Sequence, residues 1–185
     1  MSQTGLIERF GRRGKGMLTA ETFIERREQL SKEIESGLIL LLGHGESPMN
    51  YADNVYPFRQ DGSFLYYAGL SSPGMAALLD IEEGVWELFG HDPTMDDIIW
   101  TGPQPSLFER GALVGFEDCR PFTELPDHLS TAVQTGRTVH YLPTCRADSV
   151  FKLGEFLEIP DRDVEKVASK ELIQAVIAQH FLARG

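Results

Sequence analysis

The residues that could do chemistry come first. Ser47, in "GHGESPM", sits where a hydrolase would place a nucleophile between two glycines, but the second glycine is replaced by Met49 and Pro48 obstructs the strand-to-helix turn such a serine needs. The segment "HDPTMDDIIW" gathers His91, Asp92, Asp96 and Asp97. Mixed imidazole and carboxylate donors can hold a metal ion, whereas a His-Asp-Pro opening also suits a solvated loop in which aspartates cap or turn the chain. His44, His128, His140 and His180 are scattered without the HExxH spacing of a zinc peptidase. Cys119 and Cys145 are too far apart for a CxxC motif, and each reads as a reduced thiol. No catalytic set and no metal set emerges from these residues.

One stretch stands apart. "VYPFRQDGSFLYYAGLSSPG", from Val55 to Gly74, sets Arg59 and Asp61 two positions apart among five aromatic rings. An arginine fork can hold a carboxylate or a backbone carbonyl while the rings shield it. The expectation is that Arg59 and Asp61 are largely buried and pin the loop, with Phe58, Phe64 and Tyr66 around them; the rival reading turns Arg59 toward the carboxylate of a peptide. Tyr66 and Trp100 complete the candidate anchor or substrate-access residues, with Trp100 expected at the end of an extended segment, its ring partly open to solvent.

These residues need a scaffold, and 185 residues suit a single domain. At that length roughly 70% of the unfolded chain's surface can be buried without disulfide or metal. "TAETFIERREQLSKEIESG" aligns Phe23, Leu30 and Ile34 on one helical stripe, with Thr22 and Glu25 placed as a capping box and Gly37 as the stop. "LILLL", 38–42, is a continuous apolar run, as expected of a strand covered on both faces. "MAALLDI" and "VWELFG" flank "EEG" as a hairpin. Helical spacing returns in "PSLFERGALVG", "ELPDHLSTAVQTG", "DSVFKLGEFLEI" and "KELIQAVIAQHFLA", with extended segments at "FEDCRPF" and "TVHYLP". Helices interleaved with strands and one hairpin predict an α/β domain with a mixed sheet.

Composition excludes other classes. A net charge of -11 argues against nucleic acid, whose phosphates are held by clustered Lys and Arg. The basic stretch "ERFGRRGKG" lies in residues 1–17, which read as a flexible tail, and no apolar region with a cleavage site follows it, so a cytoplasmic protein is expected. No apolar run reaches membrane-spanning length.

The tract Tyr56, Pro57, Phe58, Arg59, Gln60, Asp61, Phe64, Tyr66 and Gly69 resembles a segment of the N-terminal domain of the Xaa-Pro aminopeptidases, within the creatinase and prolidase group. The arginine-rich "FIERREQL", the strand "LILLL", the hairpin and "DPTMDDIIWTG" extend the resemblance over most of the chain beyond the tail. Gly62 stands where that family usually has a polar residue, and Leu65 where it usually has an aromatic one. The resemblance implies a ribonuclease H-like domain over 18–168 and, over 169–185, a connecting helix toward a C-terminal catalytic domain that this sequence does not contain. That domain, of pita-bread fold, would hold a divalent pair, commonly manganese, on two Asp, one His and two Glu. This chain would then have no cofactor and no activity of its own; it would pack on that partner domain, shape access for peptides with proline second, and form a homo-oligomer. A stand-alone peptide-binding or interaction module and the N-terminal domain of a prolidase-type dipeptidase are the alternatives.

Overall fold

A computed structural model describes residues 18–51 and 54–182. The tail expected over 1–17 lies outside the described residues.

At the centre is a five-stranded sheet: β1 (Leu38–Leu42), β2 (Ala76–Asp80), β3 (Val85–Gly90), β4 (Asp118–Pro121) and β5 (Val139–Tyr141), in the order β4-β3-β2-β1-β5. β1 runs antiparallel to β2, with Leu38 opposite Asp80, and β2 antiparallel to β3, while β5 and β4 lie parallel to β1 and β3. The mixed sheet and the hairpin are as expected from sequence. Alternation explains the layers. Ile39, Leu41, Ala77, Leu79 and Leu88 point to one face, and Leu38, Leu40, Ala76, Leu78 and Phe89 to the other; both faces are buried. Each fully buried Leu or Phe contributes about 1.5–3 kcal/mol, which is why the apolar runs lie at the sheet's centre.

The first face is covered by α1 (Ala20–Ser31), α2 (Gly62–Ala68) and, later in the chain, α8 (Lys170–Leu182), through Phe23, Leu30, Phe64, Tyr67, Leu172 and Val176. Between them in sequence come α3 (Met95–Thr101), α4 (Leu107–Ala112), α5 (Leu125–Gln134), α6 (Ala147–Leu157) and the short α7 (Asp161–Val164). The second face is covered by α5, α6 and α7 through Leu125, Leu129, Leu153, Phe156, Leu157 and Val164. The segment expected to be a connecting helix is therefore seated on the sheet, with Leu172 fully buried.

Three local expectations are corrected. Thr22 and Glu25 do not form a cap, because α1 begins a turn earlier, with Thr19 as its N-cap residue. Gly37 does not end α1, which stops at Ser31; Gly37 instead turns the chain into β1 at φ 97, where a Cβ would collide with the Thr138 carbonyl oxygen. The aromatic stretch after Asp61 is a helix, α2, rather than a loop. Gly69 closes it in the left-handed region at φ 71, and a Cβ there would stand 2.6 Å from the Phe23 ring.

At the far end of the sheet Arg137 clamps the β2–β3 turn. Its guanidinium donates to both Asp80 oxygens at 2.7 Å and also to Glu82, tying the hairpin to the entry of β5. The same bonds hold the Asp80 carboxyl below its ordinary pKa.

Candidate functional site

The tract around Arg59 is held differently from the expectation. Arg59 is exposed, and no partner for its guanidinium is seen among the described residues, so the predicted buried pair with Asp61 is absent. The pin is the residue between them. Gln60 is 8% exposed, and its Oε1 accepts from the His44 N–H at 2.7 Å and the Asp61 N–H at 2.8 Å while its Nε2 donates to the Ser72 carbonyl at 2.8 Å. One amide thus ties the end of β1, the start of α2 and the loop before β2, which a guanidinium cannot do because it has donors only. Asp61 is half-buried and caps α2, accepting from the Phe64 N–H at 2.8 Å. Its other oxygen lies 3.8 Å from His44 Nε2, and His44 Nδ1 is 3.0 Å from the Arg59 carbonyl oxygen.

The arginines that do work as anchors are on α1. Arg27 is 2% exposed; it donates to the carbonyls of Tyr67, Val114 and Gly115 at 3.0, 2.9 and 2.8 Å and lies over the Phe116 ring. Burial pushes its pKa down to about 10, so it remains a cation at neutral pH. Arg26 donates to the Tyr66 carbonyl at 2.9 Å and stacks 3.9 Å from the Tyr66 ring centroid. Tyr66 also meets Tyr67 and His180 edge-on. The helical stripe of Phe23 and Leu30 was visible in the sequence. That Arg27 shares it was the signal to follow, since 23, 27 and 30 lie on one face.

The "HDPTMDDIIW" segment contains α3, not an extended strand ending at Trp100. Two of its aspartates act as caps. Thr94 and Asp97 form a reciprocal capping box, and Asp92 accepts from the Leu107 N–H at the start of α4. Among the described residues no three His, Cys, Asp or Glu side chains are grouped as a metal site.

With its polar residues at the cap, α3 leaves Met95, Ile98, Ile99 and Trp100 exposed, and Phe108 of α4 is exposed as well. Trp100 is 86% exposed, more open than the sequence suggests. Exposed apolar side chains grouped on one element are a feature that interaction surfaces share. In a Trp86→Phe chain, iodide is expected to quench the remaining Trp100 fluorescence nearly as fully as it quenches free tryptophan. Protection of that emission would refute the exposed placement.

The remaining candidates do not assemble into a catalytic centre. Ser47 lies in a small β-bridged turn, where its carbonyl accepts from the Tyr56 N–H at 2.9 Å and Pro48 pairs with Val55, so the strand-to-helix elbow is missing. Cys145 is exposed; Cys119 is partly buried beside Asp118, and burial first, then that carboxylate, raises its pKa, the opposite of an activated thiol. His140 is buried between Ser169 Oγ and the Ser36 carbonyl, and His128 faces Glu87 at 3.4 Å.

Comparison with known proteins fits this picture. The family model described as "Aminopeptidase P, N-terminal domain" matches residues 23–141. Among curated proteins, "Intermediate cleaving peptidase 55, mitochondrial" of Arabidopsis thaliana is 26% identical over 65% of this chain and 24% of its own length. "Probable Xaa-Pro aminopeptidase PEPP" of Sordaria macrospora is 29% identical over 69% of this chain and 22% of its own. A solved variant of Escherichia coli aminopeptidase P superposes with a TM-score of 0.64 at 23% identity, covering 77% of this chain and 33% of that one. The chain thus spans about a quarter of the length of the curated relatives it matches, and the structural likeness shows a shared fold.

Proposed function

We propose, from the premise that this chain belongs to the aminopeptidase P N-terminal domain family, that it is the non-catalytic access domain of a metal-dependent Xaa-Pro aminopeptidase. In this reading it packs against a catalytic domain of pita-bread fold, narrows the approach to peptides with proline second, and takes part in homo-oligomer contacts. The observation that carries the reading is the exposed ridge Met95, Ile98, Ile99, Trp100 and Phe108 on α3 and α4, whose polar residues Thr94, Asp97, Ser106 and Glu109 are engaged in capping boxes. Hydrolysis by the family's route needs metal ions to activate water and polarise the carbonyl. The residues described here do not fit a metal pair, so no step of that chemistry is placed on them.

The test has two arms. The purified chain, incubated with manganese and an Xaa-Pro peptide, is expected to show no steady cleavage. Turnover that survives repurification and disappears when His91 and Asp96 are both replaced would make it an independent enzyme and overturn the reading. In the second arm, fusion to the catalytic domain of an aminopeptidase P is expected to shield Trp100 from iodide. Unchanged quenching in an active fusion would remove the ridge from the domain contact.

A further inference from the structure

β1 and β5 are neighbours and parallel, so the segments that leave them, 43–51 and 142–146, rise from the same end of the sheet. Crevices outside the carboxyl ends of parallel strands are recurrent ligand sites in α/β folds. Here the first loop folds back through the Pro48–Val55 bridge and the Tyr56 to Ser47 bond, and the two loops enclose an open hollow lined by Ser47, Tyr56, Pro57, Phe58, Arg59 and Arg146.

The charge in this hollow is opposite to that of the chain as a whole. Arg59 has no guanidinium partner among the described residues. Arg146, the residue preceding α6, donates through Nε to Asp148 at 2.9 Å, and its two terminal nitrogens make no bond among the described residues. Gly45 lines the same hollow, and a Cβ built on it would stand 3.7 Å from Lys152 Nζ and 3.5 Å from Asp148 Oδ2, which brings a third cation to the margin. Three cations thus lie in or beside this hollow, one of them paired with Asp148, in a protein of net charge -11. Arg120 and Arg137, by contrast, each face two or more acidic groups.

We propose that this hollow binds the terminal carboxylate of a peptide. Arg59 and Arg146 supply planar forks that match a carboxylate; the hydroxyls of Ser47 and Tyr56 add donors, and Pro57 and Phe58 offer an apolar wall for the terminal side chain. The choice of a peptide rests on the reading of the chain as an access domain for proline peptides. The carboxylate itself follows from the charge and shape of the hollow. The site is open, so affinity is in the millimolar range and falls with added salt.

The test is a titration of the isotopically labelled chain, followed by backbone amide shifts, with an acetylated Ala-Pro-Ala tripeptide as the free acid and as its C-terminal amide. The free acid is expected to move the amides of 45–47, 56–59 and 146, and the amide form to bind about ten-fold more weakly. Arg59→Gln and Arg146→Gln should each weaken the free acid about ten-fold without changing the melting temperature. Equal binding of acid and amide, or full binding by Arg59→Gln, overturns the proposal. So does inorganic phosphate binding more tightly than the peptide acid at the same ionic strength. An acetylated trialanine acid that binds as well as the proline peptide leaves the carboxylate site standing while detaching it from the proline-peptide reading.

Discussion

Arg27→Ala is expected to lower the stability of this domain by about 3–5 kcal/mol, with a fall in melting temperature of about 10 °C. The side chain reaches from α1 to the last turn of α2 and to the loop after α4, donating to three carbonyls 40, 87 and 88 positions away in sequence. Those three segments share no continuous strand; the Arg27 guanidinium joins all three, whereas Arg26 links only α1 to α2. Removing it takes a donor from each carbonyl, and the Phe116 ring loses its cation. Total stability of ordinary domains is about 5–15 kcal/mol, so the loss is a large share of the whole. Arg27→Lys keeps the charge but presents a single ammonium where three separate acceptors wait, and should recover less than half of the difference. Arg26→Ala is the control: its bond to the Tyr66 carbonyl and its stacking lie nearer solvent, and about 1 kcal/mol is expected. Chemical denaturation monitored by circular dichroism decides the matter. An Arg27→Ala curve that overlays the parent curve would remove Arg27 from the anchoring role.

Most of the scaffold was legible because its signals are local and periodic. "LILLL" is apolar at every position, a short run that suits a strand covered on both faces; the hairpin declares itself by two apolar runs around a short glycine-containing turn. The elements that escaped are those whose cause lies elsewhere in the chain. "GSFLYYA" is rich in aromatics, which have modest helix propensity and enrich strands. It is helical because Asp61 caps it, Gly69 closes it and Phe64 and Tyr67 fill the space beneath α1. α3 escaped because its aspartates read as loop-capping residues, or less readily as metal ligands, until the Thr94–Asp97 box shows a helix start. Of the site candidates, Tyr66 packs against Arg26, Tyr67 and His180 and Trp100 is exposed, while the anchoring expected of Arg59 is made by Gln60. A charged pair draws attention in a sequence. A neutral amide that both accepts and donates does not, yet three chain segments meeting at one point call for such a group.

The two neighbours Arg59 and Gln60 can therefore be told apart by experiment. Gln60→Ala is expected to cost about 2–4 kcal/mol, because two N–H groups and one carbonyl lose their partner at a position closed to bulk water. Gln60→Glu keeps an acceptor for the His44 and Asp61 N–H groups but turns a carboxylate oxygen toward the Ser72 carbonyl, where a donor is required, so a loss of about 1–3 kcal/mol is expected. Arg59→Ala, on an exposed side chain without a partner among the described residues, should stay within about 0.5 kcal/mol of the parent. The order of the three melting curves is the readout. If Arg59→Ala falls below Gln60→Ala, the charged residue is the anchor after all, and the amide only accompanies it. If the expected order holds, the division of labour has a physical reason. A buried amide fixes the loop at no cost in charge desolvation, and by fixing it holds the preceding residue's guanidinium out toward solvent, where a ligand can reach it.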